Sequence, residues 1–290
     1  MTSSISSVGG ADYEKTAERL ASLEVFHKDS SAKNPINLLL IHGFESSKET
    51  WLPIFKSLEG SYNLHAIDLR GHGESPMGNG DFSTEQMVAD VHQYVIAKKL
   101  NSFVLIGHSM GSRVATPFAA AYPEKIQGLV IEDLEVLPRS MVDLSPAEIA
   151  HLQAFKPSHP NLESVQNELA AYGYPPEKLA LWIEQGRIRQ LEDNTYQIGV
   201  HPHVSYQCAN SLLASEASLN AFKALNKTEF PILLLKAEED SSVSEQGLEQ
   251  MKKLLPRMSV IKVDGSTHSI HKTATSLFIS YIEKFAQNMD

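Results

Sequence analysis

A serine attacks an ester carbonyl only when a neighbouring base takes its proton and fixed donors hold the charge that develops on the carbonyl oxygen. The residues placed to do this begin with Ser109, in Gly107-His108-Ser109-Met110-Gly111. Residues 103–106 before it are an unbroken apolar run, the pattern of a strand buried on both faces. Residues 113–122 after it read as a helix with Val114, Phe118 and Ala119 on one side. Strand, Gly-x-Ser-x-Gly and helix together form the pattern of a nucleophile elbow. The pentapeptide alone would arise by chance in about one chain in ten of this size, so the flanking elements carry the reading. In such a turn the glycines avoid collision with strand and helix, the hydroxyl is lifted above the sheet, and the Met110 N–H faces the space beside it.

Of the 12 histidines, His268 is the candidate base. It stands in Asp264-Gly265-Ser266-Thr267-His268-Ser269-Ile270-His271, a polar loop between the last expected strand and the last helix. Loops at the carboxyl edge of a parallel sheet are where sites form. His271, three residues on, is its competitor. A carboxylate should orient the imidazole and stabilise its cation. Asp240, in Ala237-Glu238-Glu239-Asp240, follows a strand over 230–235, and Asp133, in Ile131-Glu132-Asp133-Leu134, ends the strand after the elbow helix. Both stay open as the acid, with Glu132, Glu238 and Glu239 as lesser candidates.

These residues need a frame. A short helix is expected over 12–22, a strand over 23–27 and a polar turn over 29–35. Further strands are expected over 37–41, 62–67, 126–131, 230–235 and 258–263. Helices are expected over 48–58 (Trp51, Ile54, Phe55 and Leu58 inward), from the Ser83/Gln86 capping box to 99, from the Ser244 cap to Leu255, and over 271–285 with Leu277, Phe278 and Ile282. Alternating strands and helices argue for a mostly parallel α/β sheet. Between 137 and 222 the alternation stops, and short amphipathic pieces with prolines read as a helical insertion.

The chain has 290 residues, a net charge of −10 and one cysteine, Cys208. The acidic balance argues against nucleic acid as a partner. The lone cysteine excludes an internal disulfide, residues 1–10 lack the basic start and apolar core of a secretory signal, and no apolar run is long enough to span a bilayer. The expectation is a cytoplasmic protein with no membrane partner. His201-Pro202-His203 has no acidic or cysteine partner nearby, and Gly71-His72-Gly73 fits no dinucleotide loop. No metal or other cofactor is expected.

The ordered set of His42-Gly43-Phe44 after a strand, the Asp68-Leu69-Arg70-Gly71-His72-Gly73-Glu74-Ser75 turn, the elbow, the insertion and the late His268 resembles the α/β-hydrolase fold superfamily. Within it the chain is similar to small bacterial carboxylesterases and acyl-thioesterases whose elbow reads Gly-His-Ser-Met-Gly. Ser112 departs from the glycine those relatives usually carry. The resemblance implies a core of residues 1–136 and 223–290 with a helical cap over 137–222. It implies Ser109 as nucleophile, His268 rather than His271 as base, and the backbone N–H groups of Phe44 and Met110 as oxyanion hole. It leaves the acid open, since the superfamily most often uses the Asp240 position and the nearer relatives that of Asp133. The implied substrate is a carboxylic ester or thioester of modest size. An amidase, a carbon–carbon bond hydrolase or a non-catalytic small-molecule receptor are the alternatives. Trp182, Tyr172, Tyr174, Phe155 and Tyr206 are candidate pocket walls or internal cap packing. His42-Gly43 and the Asp68 turn are expected to shape loops, and Cys208 to be packed.

Overall fold

The computed structural model describes residues 20, 22–25, 35–78, 80–184, 186–199 and 201–287. The helix expected over 12–22 and the turn over 29–35 lie almost wholly outside them. The strand expected over 23–27 is present as β1 (Ser22–Val25).

The apolar runs build one seven-stranded sheet. Its members are β1, β2 (Asn37–Ile41), β3 (Asn63–Ile67), β4 (Phe103–His108), β5 (Ile126–Glu132), β9 (Ile232–Ala237) and β10 (Ser259–Val263), in the order β1-β3-β2-β4-β5-β9-β10. Only β1 runs antiparallel; the other pairs are parallel. The elbow strand β4 sits at the centre, where every residue is buried.

Strand residues alternate between two cores, as a period of two requires. Leu39, Ile41, Leu105, Leu129, Ile131 and Leu234 pack on one face, with Met87, Val91, Val114, Phe118, Phe222 and Met251 from the helices. Leu38, Leu40, Val104, Ile106, Val130 and Leu235 pack on the other, against Trp51, Ile54, Phe278 and Ile282. Each such side chain contributes about 1.5–3 kcal/mol of burial, so the sheet centre is the most strongly fixed part of the molecule.

The helices of the first face are α2 (Thr84–Ala97), α3 (Ser112–Ala121) and α9 (Glu245–Leu254). The Ser83 hydroxyl accepts from the Gln86 N–H, but the Gln86 side chain turns to Asp90, so only half of the expected capping box forms. The other face carries α1 (Leu52–Leu58), preceded by a 3-10 turn at Lys48–Trp51, and α11 (Thr275–Gln287). The expected last helix is broken at Ala274, with α10 (Ile270–Thr273) before it, and Leu277 is exposed on it.

Residues 137–222 hold α4 (Pro146–Gln153), α5 (Leu162–Ala171), α6 (Glu177–Glu184) and α7 (Pro202–Cys208), which runs into a π turn at Ala209–Leu213. The insertion is not purely helical. β6 (Ser158–His159), β7 (Ile188–Gln190) and β8 (Tyr196–Ile198) form a small antiparallel sheet. Strands of two or three residues are too short to display a period, so nothing in the sequence pattern announced them. The insertion has its own core of Phe155, Val165, Leu169, Trp182, Ile188 and Ile198. Helix α8 (Ala217–Ala224) returns to the elbow helix: Ser218 Oγ donates to the Arg113 carbonyl at 3.1 Å, and Phe222 enters the main core.

Candidate active site

Two backbone approaches force the elbow. A Cβ on Gly107 would lie 2.7 Å from the Ser112 backbone, and one on Gly111 would strike the Ile41 and His42 carbonyl oxygens at the end of β2. Between them Ser109 sits at φ 49, the left-handed region that costs a non-glycine residue energy. Ser112 Oγ donates to the Gly107 carbonyl at 2.5 Å, a bond glycine could not make. Arg113 is buried and its guanidinium holds the carbonyls of Glu135 and Leu137, tying the elbow helix to the start of the insertion.

His268 meets Ser109 from the next-but-two strand. Its Nε2 lies 2.9 Å from Ser109 Oγ and its Nδ1 2.7 Å from Asp133 Oδ2. Asp133 also sits at positive φ, 47, at the end of β5. Its Oδ1 accepts from the Ala237 N–H (2.8 Å) and Ser241 Oγ (2.6 Å), and its Oδ2 from the Ser242 N–H (2.9 Å). Burial pushes this carboxyl up, but the bonds from His268, Ser241, Ala237 and Ser242 outweigh it and hold the group below its ordinary 3.8. Asp240, by contrast, is exposed. The loop after β9 does not bring Asp240 to the imidazole; it folds its backbone and Ser241 donors around Asp133 instead. Glu238 and Glu239 are exposed too, and Glu238 accepts from the Gly265 N–H at 2.7 Å, bracing the histidine loop.

The competitor His271 belongs to a second, buried pair, with Glu132 one residue before Asp133 and His271 three residues after His268. Glu132 Oε1 accepts from both the His271 N–H (2.9 Å) and Nδ1 (2.8 Å), and His271 Nε2 accepts from Thr50 Oγ1 at 2.8 Å. Neither side chain reaches solvent. Burial raises Glu132 to about 7 and drives His271 well below 6.5, so the imidazole is neutral. His108, flanked by both histidine rings, points its Nε2 at the His268 carbonyl (3.1 Å) and is pushed down to about 3 by burial.

A cleft of about 520 Å³ opens over Ser109 and His268. Phe44 lines it, and a Cβ on Gly43 would lie 3.2 Å from the Ser109 Cβ, so the backbone leading into Phe44 passes directly beside the Ser109 side chain. The cap contributes Arg139, Arg187, Ala209 and Leu213. Phe155 and Trp182 pack in the insertion's own core, with Tyr172 and Tyr174 against it, and none of the four lines the cleft; nor does Tyr206. His201 Nδ1 accepts from the His203 N–H and caps α7. Cys208 is buried, its thiol pushed up to about 12 by burial. In the Asp68 turn, Asp68 accepts from the Lys48 N–H and the Glu74 N–H, and the Lys48 ammonium sits among Glu49, Asp68 and Glu74. Those three carboxylates are spaced as a cation site, and the ammonium fills it.

A parallel α/β sheet with a serine at a strained elbow and a histidine–aspartate pair on neighbouring loops defines a class: hydrolytic enzymes that cleave esters or thioesters. The chain belongs to the alpha/beta hydrolase fold family, whose model matches residues 36–275. It is 29% identical over 265 residues, 86% of this chain and 89% of the other, to a Bacillus subtilis (strain 168) protein named provisionally as a 2-succinyl-6-hydroxy-2,4-cyclohexadiene-1-carboxylate synthase. It is 27% identical to the sn-1-specific diacylglycerol lipase ABHD11 of Xenopus tropicalis, covering 97% of this chain and 86% of that one. Among solved structures, a marine microorganism esterase superposes with a TM-score of 0.70 at 23% identity, over 92% of this chain and 99% of that one. The protein is a serine hydrolase of the carboxylesterase and thioesterase type. Among the described residues no helix is long and apolar enough to cross a membrane.

Proposed function

We propose that Ser109 is the nucleophile, His268 the general base, Asp133 the orienting acid, and the N–H groups of Met110 and Phe44 the oxyanion hole. The Ser109–His268–Asp133 chain of contacts, 2.9 and 2.7 Å, carries this reading. As Ser109 Oγ bonds to the carbonyl carbon, its proton passes to His268 Nε2. The carbonyl oxygen becomes an oxyanion between two backbone donors, each worth a few kcal/mol in a site screened from water. Asp133 keeps the Nδ1–H tautomer and stabilises the imidazolium. The imidazolium then protonates the departing alcohol or thiol, leaving an acyl-serine. Water enters, loses its proton to His268, and the acid is released.

The finer reading is a small bacterial-type carboxylesterase or acyl-thioesterase working in the cytoplasm. Residues 137–222 act as its cap, although α8 at the end of that span packs as part of the core. The test is labelling by a fluorophosphonate probe together with a panel of p-nitrophenyl esters and acyl-CoA thioesters of graded length. Labelling at Ser109, and its loss with hydrolysis in Ser109→Ala, is the expected result. Label on another serine, or an active Ser109→Ala variant, sinks the assignment.

A further inference from the structure

The cleft over Ser109 is charged against the grain of the molecule. The chain carries 35 acidic and 25 basic residues, yet the cleft lining includes Arg139, Arg187 and Lys272 and no carboxylate. The three cations come from separate elements. Arg139 begins the insertion, where its N–H donates to the Leu213 carbonyl at 2.8 Å. Arg187 lies beside β7, its guanidinium 5.6 Å above the Trp182 ring. Lys272 is on α10, four residues beyond His268.

Lys48, Arg70 and Arg189, by contrast, pair with carboxylates, and the buried Arg113 is held by backbone carbonyls. Among the described residues, Arg139, Arg187 and Lys272 form no ion pair. Burial lowers Lys272, and the Arg187 charge lowers it further. Burial also lowers Arg187, against the pull of Glu45 and Tyr174. Glu45 acts on Arg187, and Glu132 and Glu184 act on Lys272, through their fields but not at ion-pair distance. A cluster of cations held together without a counter-ion is unfavourable until an anion enters it, and the guanidinium fork gives such an anion direction as well as charge.

We infer that the substrate cleaved at Ser109 is itself an anion: an ester or thioester bearing a carboxylate or phosphate group that Arg139, Arg187 and Lys272 receive. This rests on the serine-hydrolase reading and names its substrate class. The carbonyl would lie at Ser109 while the charged group lies under the cap edge, in a cleft large enough for a small acyl chain between them.

Matched pairs test it. Mono-p-nitrophenyl glutarate is compared with p-nitrophenyl valerate, which lacks the carboxylate. Butyryl-CoA is compared with the butyryl thioester of N-acetylcysteamine, which lacks the phosphates. In at least one pair the charged member should show kcat/KM about tenfold or more above its neutral counterpart, and the first or second pair identifies carboxylate or phosphate as the recognised group. That ratio should shrink with added NaCl. It should also fall about tenfold in Arg139→Gln, in Lys272→Gln and in Arg187→Gln. Ser109 labelled by a fluorophosphonate with no preference for the charged member of either pair, or a ratio unmoved by all three substitutions, overturns the inference and leaves the hydrolase standing. An unlabelled Ser109 with no turnover of any substrate overturns both.

Discussion

Asp133 and Asp240 end adjacent strands at the same sheet edge, and the sequence shows both as carboxylates in loops. What separates them is backbone turning that no residue type announces: both adopt positive φ, 47 and 48, but only Asp133 is turned into the donors of Ala237, Ser241 and Ser242. Asp133→Asn should therefore lower kcat by about 10³–10⁴-fold, because the wrong imidazole tautomer is then held. Asp240→Asn should change it by less than about threefold. Steady-state rates on one good ester decide, and the reverse ranking would reject the Asp133 assignment. Glu132, one residue away, supports a different expectation. Its folded value, about 7, stands above the ordinary 4.5, so the stability it contributes is full below pH 4.5 and is lost as pH climbs through 7. The loss is on the order of 3 kcal/mol. Gln at this position keeps the oxygen that accepts from His271 but cannot ionise. Urea unfolding of wild type and Glu132→Gln should show the variant gaining on wild type between pH 5 and pH 8, and a pH-independent difference would mean Glu132 does not titrate in this window.

At the scale of elements, the long periodic pieces were legible because burial stamps a period on them. β2, β4 and the elbow helix fall within a residue or two of their expected bounds. The insertion was legible only as a break in alternation. Its aromatics read as candidate pocket walls or, more simply, as internal packing; contact with Val165, Leu169 and Ile198 places Phe155, Trp182, Tyr172 and Tyr174 in the cap's own core. This separates two kinds of substitution. Trp182→Ala empties a fully buried site, so it should cost about 3–5 kcal/mol of cap stability, seen as faster proteolysis within 137–222. Leu213 faces the cleft, so Leu213→Ala should shift the relative rates of short and long acyl chains by roughly 10-fold or more per discriminated methylene. If Trp182→Ala alters chain-length preference and Leu213→Ala does not, the cap has been read inside out.

For the whole molecule, the mostly parallel α/β class followed from the order of elements, while the strand order and the joint between cap and core did not. That joint needs residues more than a hundred positions apart in sequence to meet, and the structure shows which do. Arg189 on β7 reaches Glu74 at 2.6 Å, and the Gly73 N–H donates to the Gly199 carbonyl at 3.2 Å. Both contacts land on the turn that Asp68 braces through Lys48. The turn is anchored in the core, since Asp68 and Lys48 are nearly inaccessible, whereas Glu74 is about half exposed. A pair with its carboxylate half in solvent contributes little to global stability, typically below about 1 kcal/mol. Glu74→Ala should accordingly leave the main unfolding transition within a few degrees of wild type. It removes the side chain that ties Arg189 to the turn, so the edge of the cap sheet should open more often, and limited proteolysis should cut at 186–199 several times faster. Added salt should bring wild type toward the variant, because it screens the same pair. An unchanged cleavage rate in Glu74→Ala would show that Gly73–Gly199 backbone pairing and the cap's own packing hold that edge unaided; a collapse of the main transition would show that the turn, not the cap, depends on Glu74.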